Sequence, residues 1–153
     1  MSSSLNVLFE DPFCLAVNKP AGQFTQGTWA PPGEETLEQA VRRHLDPEHP
    51  DQAYVGIVHR LDRPVSGILL WAKTKKAARR LSRQFETRRA LKEYTAIVEM
   101  VSGQESAPAS HEETWEDWLT AAGKDGRVQV SAAHHESARV ARTTVKIDIP
   151  PQS

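Results

Sequence analysis

A single cysteine, Cys14, is all that the 153 residues offer, which excludes an internal disulfide framework and a cysteine-rich zinc site. Cys14 stands inside the apolar Phe13–Val17 run, the setting of a buried structural thiol rather than of a nucleophile. Long apolar runs are missing too, and none approaches the roughly 20 residues that a membrane-crossing helix needs. The opening Met1-Ser2-Ser3-Ser4 shows neither a basic nor an apolar leader segment, so no secretory signal is expected. Aromatics are sparse at 7%, and the net charge is close to zero, at -1. What is present is the composition of a soluble globular protein, 39% hydrophobic and 25% charged, with length enough for one domain and its core. A reducing, cytoplasmic setting is the expectation, with no membrane partner.

The near-zero net charge conceals a lopsided distribution. Between Lys73 and Lys92 stand Lys73, Lys75, Lys76, Arg79, Arg80, Arg83, Arg88, Arg89 and Lys92, with Glu86 as the only acid. Acids gather elsewhere, at Glu34, Glu35 and Glu38, at Asp46, Glu48 and Asp51, and at Glu112, Glu113, Glu116 and Asp117. Thr74 suits an N-cap, and Ala78, Leu81 and Phe85 recur at helical spacing, so the basic segment reads as an amphipathic helix. A cationic helix face is a solvated surface in many proteins. It also attracts phosphates at long range, in a salt-dependent way. Lys75, Lys76, Arg79, Arg80 and Arg83 are therefore candidate RNA contacts.

The most specific stretch is His59-Arg60-Leu61-Asp62-Arg63-Pro64-Val65-Ser66-Gly67. It lies between two short apolar runs, Tyr54–Val58 and Ile68–Ala72, which read as buried strands. A carboxylate on a loop held by two core strands has the placement of a reactive group, although a lone loop aspartate is commonly a turn or cap residue. The nonapeptide resembles the signature of the RluA-type RNA pseudouridine synthases, His-Arg-Leu-Asp-x-x-Thr-Ser-Gly, with Val65 where Thr is usual. Val7-Leu8-Phe9-Glu10-Asp11 and Leu15-Ala16-Val17-Asn18-Lys19-Pro20-Ala21-Gly22 resemble the family's opening strand and its Asn-Lys-Pro-Ala-Gly segment. Lys92-Glu93-Tyr94 resembles its Lys-x-Tyr element. The resemblance covers about residues 7–101.

That resemblance implies an isomerase acting on uridine in structured RNA, ribosomal or transfer, with Asp62 as the catalytic aspartate. The chemistry detaches the base at N1 and rejoins it through C5, so it calls for no cofactor and no metal. A carboxylate can bond transiently to sugar or base, as in covalent glycosidases, with attack at C1′ and at C6 both open. Bulk water must be excluded, and the flanking apolar strands are expected to supply a dry setting. A paired uridine has to flip out of its stack. The resemblance places Arg60 near the extruded nucleotide and Tyr94 against the base, with Lys92 and His59 completing the substrate-binding group. An Arg60–Asp62 ion pair that only orients the carboxylate is the alternative for Arg60. Lys19 either reaches RNA or ends a strand before a turn.

Two departures from the pattern stand out. Val65 removes a hydroxyl beside Asp62 at nearly constant shape. Family members also continue, on the order of another half-length, through a segment resembling Thr-Gly-Arg-x-His-Gln-Ile-Arg-x-His, which these residues do not contain; its second Arg pairs with the catalytic Asp. The expectation is a truncated piece, a short divergent member, or half of something a partner completes. A non-catalytic RNA-binding remnant is the alternative function, and oligomeric state is undetermined.

The other elements follow from local pattern. Leu5–Phe9 and Phe13–Asn18 read as strands joined at Asp11-Pro12. Thr36-x-x-Gln39 resembles a capping box opening a helix through Leu45. Glu93–Val101, Arg127–Ser131 and Ala138–Ile149 read as strands, Ser102–Ser110 as a flexible excursion, and Trp115 with Trp118 as a stripe on one helical turn. His134-His135-Glu136 is not expected to hold a metal, because neighbours on an extended segment point to opposite faces. The expected fold is α+β, with a mixed, largely antiparallel sheet and flanking helices. It forms one catalytic domain over residues 1–153, incomplete at the C-terminus, without a separate S4-like RNA-binding domain.

Overall fold

In a computed structural model, which describes residues 5–27, 30–99, 110–121, 128–131 and 138–148, the chain divides into two compact units, residues 1–95 and 96–153. The first begins with strands β1 (Val7–Glu10) and β2 (Cys14–Lys19). Their turn is built by Asp11, whose Oδ1 accepts from the amides of Phe13 at 2.7 Å and Cys14 at 2.6 Å. Helix α1 (Leu37–Leu45), a 3₁₀ turn (Pro50–Gln52), β3 (Gly56–Ile57), β4 (Gly67–Ala72) and α2 (Lys75–Glu86) follow. The sheet runs β1-β2-β4-β3 with every pair antiparallel.

Alternation along β2 and β4 sets the core. Leu15 pairs with Trp71, Val17 with Leu69 and Lys19 with Gly67, so Leu15, Val17, Leu69 and Trp71 share one buried face. Leu37 and Val41 of α1 cluster with them, together with Val55 and Leu61. Each such side chain contributes roughly 1.5–3 kcal/mol when fully buried. The capping box is present in α1: the Thr36 hydroxyl accepts from Gln39 N, and the Gln39 side chain accepts from Thr36 N at 2.9 Å. Glu38 and Arg42 pair one turn apart at 2.8 Å.

Thr74 caps α2 by accepting from Ala77 N at 3.1 Å, as the sequence predicts. The helix lies against β3 and β4, and its approach requires Gly56. A Cβ there would stand 2.8 Å from Ala78 Cβ and 3.0 Å from Ala72 Cβ.

The second unit is a three-stranded antiparallel sheet, β6-β5-β7, formed by β5 (Ser110–Leu119), β6 (Val130–Ser131) and β7 (Arg139–Asp148). Its β5–β7 ladder pairs Ser110 with Asp148 through to Leu119 with Arg139. Oppositely charged Glu116 and Arg142 face each other across it and form an ion pair.

The α+β class with antiparallel sheets agrees with the sequence, and several boundaries do not. Trp115 and Trp118 lie on β5, where a spacing of three puts them on opposite faces; the acids between them sit at strand positions opposite Ala141 and Arg142, so cross-strand pairing overrode a helical reading. Residues 91–99 form no strand, and the strand at Tyr54–Val58 shrinks to Gly56–Ile57. Residues 102–109 and His134-His135-Glu136 lie outside the described residues. No described helix is long and apolar enough to cross a membrane.

The Gly56 contact is testable by denaturation of the chain. Gly56→Ala is expected to cost about 1–3 kcal/mol, the usual range for an overpacked contact. Gly27→Ala, where a Cβ would meet nothing within 4 Å, should stay within about 0.5 kcal/mol of the parent.

Candidate active site

The segment His59–Gly67 leaves β3 and returns as β4, and each of its ends is tied to the core. At the start, β3 stops at Ile57 opposite Trp71. The next β4 amide, Leu70 N–H, is taken by the His59 imidazole, whose Nε2 accepts at 2.9 Å. The ring also stacks on Phe85 of α2, with centroids 4.7 Å apart. At the far end Gly67 holds φ +136°, a value that side-chain-bearing residues rarely adopt. Between these points Leu61 inserts into the core at 9% exposure.

The middle of the loop is gripped from the β2–α1 connection. Lys19 is fully buried, and its ammonium donates to the carbonyls of Pro20 at 3.0 Å, Gln23 at 2.8 Å and Arg63 at 3.2 Å. Those three bonds use all the donors an ammonium has. Burial holds the Lys19 pKa below its ordinary value, against a smaller opposing pull from the nearby Asp62 charge. Gly22 N–H donates to the same Arg63 carbonyl at 2.7 Å, and Arg63 Nε returns a bond to Gly22 O at 2.9 Å. The Arg63 guanidinium lies over the Phe24 ring at 4.7 Å and pairs with Glu34 at 3.6 Å, so this cation is engaged in structure.

Asp62 stands at the crest of this support. Its side chain is 71% exposed and pairs with Arg60 at 3.2 Å. A pair so exposed contributes little stability, and it leaves both groups within reach of a ligand. The dry setting expected from the flanking strands is not what surrounds the carboxylate: the strands bury Leu61 and Leu69, while the loop lifts Asp62 outward. Lys92 lies close enough to His59 to help lower its pKa, after burial, which is the larger cause. Tyr94 is 65% exposed on an irregular segment, and no hydrogen bond joins it to the Asp62 loop among the described residues.

Lys75, Lys76, Arg79, Arg80 and Arg83 are exposed on α2. Arg80, Arg83, Gln84 and Thr87 share a helical stripe and, with Arg89, line a concavity of about 400 Å³. Arg88, just before Arg89, holds a left-handed φ of 55°. A cluster of three guanidinium groups is suited to phosphate. Thr25 is a part of the site that no motif marks, whereas Lys19 and Gly22 lie in the segment resembling Asn-Lys-Pro-Ala-Gly; Lys19 is buried at the end of β2 rather than turned out toward RNA. One signal for Lys19 was available: it continues the inward alternation Leu15, Val17, Lys19.

A family model described as RNA pseudouridylate synthase matches residues 14–147. The tRNA pseudouridine synthase C of Pasteurella multocida (strain Pm70) is 38% identical over 100 residues, covering 62% of this chain and 37% of that protein. The protein of the same name from Salmonella typhi is 40% identical over 94 residues, covering 61% and 34%. The chain thus spans about a third of the length of these curated relatives. Among solved structures, human RNA pseudouridylate synthase domain containing 4 superposes with a TM-score of 0.58 at 16% identity, covering 91% of this chain and 52% of that one; that likeness concerns the fold.

The His59 latch predicts an acid-sensitive stability. The ring accepts a proton less readily when folded than its ordinary 6.5, so its contribution is complete above that value and is lost as pH falls below it, because the unfolded chain takes up the proton first. Glu10, held below 4.5 by His44 and Lys73, acts in a lower window. The melting temperature should therefore drop between about pH 7 and pH 5, and His59→Gln, which keeps an acceptor without titrating, should flatten the drop. Equal slopes in the two proteins would contradict the latch.

Proposed function

The chain belongs to the RNA pseudouridylate synthase family, and from that premise we propose that it isomerises uridine to pseudouridine in structured RNA, transfer or ribosomal, with Asp62 as the nucleophile. The observation that carries the reading is the mounting of Asp62: an exposed carboxylate on a loop whose backbone is held by buried groups. Such a group is free to meet a substrate and costs little to position when it does. The reaction breaks the N1–C1′ bond and makes a C5–C1′ bond; C5 loses a proton and N1 gains one, so composition is unchanged. No redox partner or external group enters the balance, and none is assigned.

Arg60 has two uses on this reading. It pairs with Asp62 at 3.2 Å without substrate, and it can exchange that partner for the flipped nucleotide, since a planar guanidinium both stacks on bases and grips phosphates. Tyr94 is read as the aromatic against the target base. Lys92 and His59 complete the substrate-binding group, His59 chiefly by holding the start of the loop against β4 and α2. With Asp62 so exposed, exclusion of water falls to the bound RNA. Lys75, Lys76, Arg79, Arg80 and Arg83 are read as contacts to the RNA backbone. The matched region, residues 14–147, takes in most of both units, and they are read as parts of one catalytic domain. Transfer and ribosomal RNA imply a cytoplasmic place of work.

The direct test incubates the chain with transfer and ribosomal RNA lacking the modification and maps pseudouridine by carbodiimide labelling. Product is expected, and it should vanish in Asp62→Asn while RNA affinity changes little. Full turnover in that variant would overturn the assignment of Asp62. Absence of product from the folded parent would favour a non-catalytic RNA-binding role. Separately, Arg80→Glu with Arg83→Glu should weaken RNA binding at least about tenfold and flatten its dependence on salt, measured by filter binding across a salt series.

A further inference from the structure

Each of the three successive carbonyls around Asp62 has a donor. Leu61 O accepts from the Thr25 hydroxyl at 2.7 Å, Asp62 O from Val65 N at 3.1 Å, and Arg63 O from Gly22 N at 2.7 Å and Lys19 Nζ at 3.2 Å. Of these donors, Thr25 alone joins the loop to the start of a helix. Its residue is 6% exposed. Its own carbonyl accepts from Glu38 N in the first turn of α1 at 3.0 Å, and the adjacent Phe24 carbonyl accepts from Leu37 N at 2.9 Å. One short side chain thus spans from the helix entry to the peptide group immediately before Asp62.

We propose that Thr25 is a positioning residue for the reaction, fixing the Leu61–Asp62 peptide plane and with it the direction of the carboxylate. The inference rests on the reading of Asp62 as nucleophile. A threonine hydroxyl suits this role, because its branched Cβ restricts rotation and its short reach transmits any displacement of the peptide. A buried carbonyl left without its donor would re-orient toward another partner, and displacement of a reacting group by about 1 Å can cost on the order of a hundredfold in rate.

Thr25→Val keeps the shape and removes the donor, and Thr25→Ser keeps the donor. In Thr25→Val, kcat is expected to fall at least about tenfold with KM for RNA within about twofold, and Thr25→Ser should recover most of the loss. Turnover equal to the parent in folded Thr25→Val would overturn the proposal, as would equal losses in the Val and Ser variants.

Amide hydrogen exchange supplies a readout that does not need activity. Val65 and Gly22 amides should exchange at least about tenfold faster in Thr25→Val and return toward parental rates in Thr25→Ser, with the amides inside α1 unchanged. Unchanged Val65 and Gly22 exchange would overturn the role. A parent that makes no product shows instead that the proposed activity has failed, and the exchange comparison then decides whether Thr25 restrains the loop.

Discussion

A buried lysine ammonium is the constraint on which the first unit depends. Lys19 ends the inward-facing row of β2, and a charge placed there is costly unless every donor finds an acceptor. The protein meets this demand with three carbonyls, two from the β2–α1 connection and one from Arg63. The connection must therefore curl back over the strand end, where Gly22 at φ +88° allows the turn. Satisfying one cation thus shapes two distant segments, and the acid loop is one of them.

The remaining supports act on the same loop from other sides. His59 substitutes an imidazole nitrogen for the backbone partner that a longer β3 would have offered Leu70. Its ring packs on Phe85, which couples the loop to α2, and α2 reaches the sheet because Gly56 has no Cβ. Leu61 fills the core directly beneath Asp62. Rigidity is thereby concentrated in the backbone and in buried side chains, while Arg60 and Asp62 point to solvent. On the proposed reading, a site that would admit a large polyanion and still present one carboxylate in a defined direction needs that division.

The cationic face of α2 answers a different requirement. Its charges are exposed and far from any fixed geometry, which suits a sequence-independent attraction to phosphate. The concavity between Arg80, Arg83 and Arg89 shows how a helix end can gather that attraction locally. Exposure also means that salt will screen it. On the proposed reading, steering by α2 and chemistry at Asp62 would thus be carried by physically separable parts of one unit.

Local pattern was enough for the helices, because the Thr36 capping box, the Thr74 cap and the apolar spacing along each are encoded within a turn or two of chain. The nonapeptide around Asp62 and the basic run after it were equally visible, since both are contiguous. Two readings failed where contacts are non-local. Trp115 and Trp118 sit at a spacing that helix and strand both permit, and the pairing of β5 with β7 decided between them. The segment after Ala90 has strand-forming residues and no strand partner among the described residues. The supports of the site were the least legible part. Lys19, Thr25 and His59 act through bonds to residues 44, 36 and 11 positions away. No local periodicity encodes such distances. The sequence by itself determined which residues carry charge and chemistry and which turns they lie on. Only the tertiary structure decided which of them are buried and bonded and which are left to face a substrate, because burial depends on what the rest of the chain brings alongside.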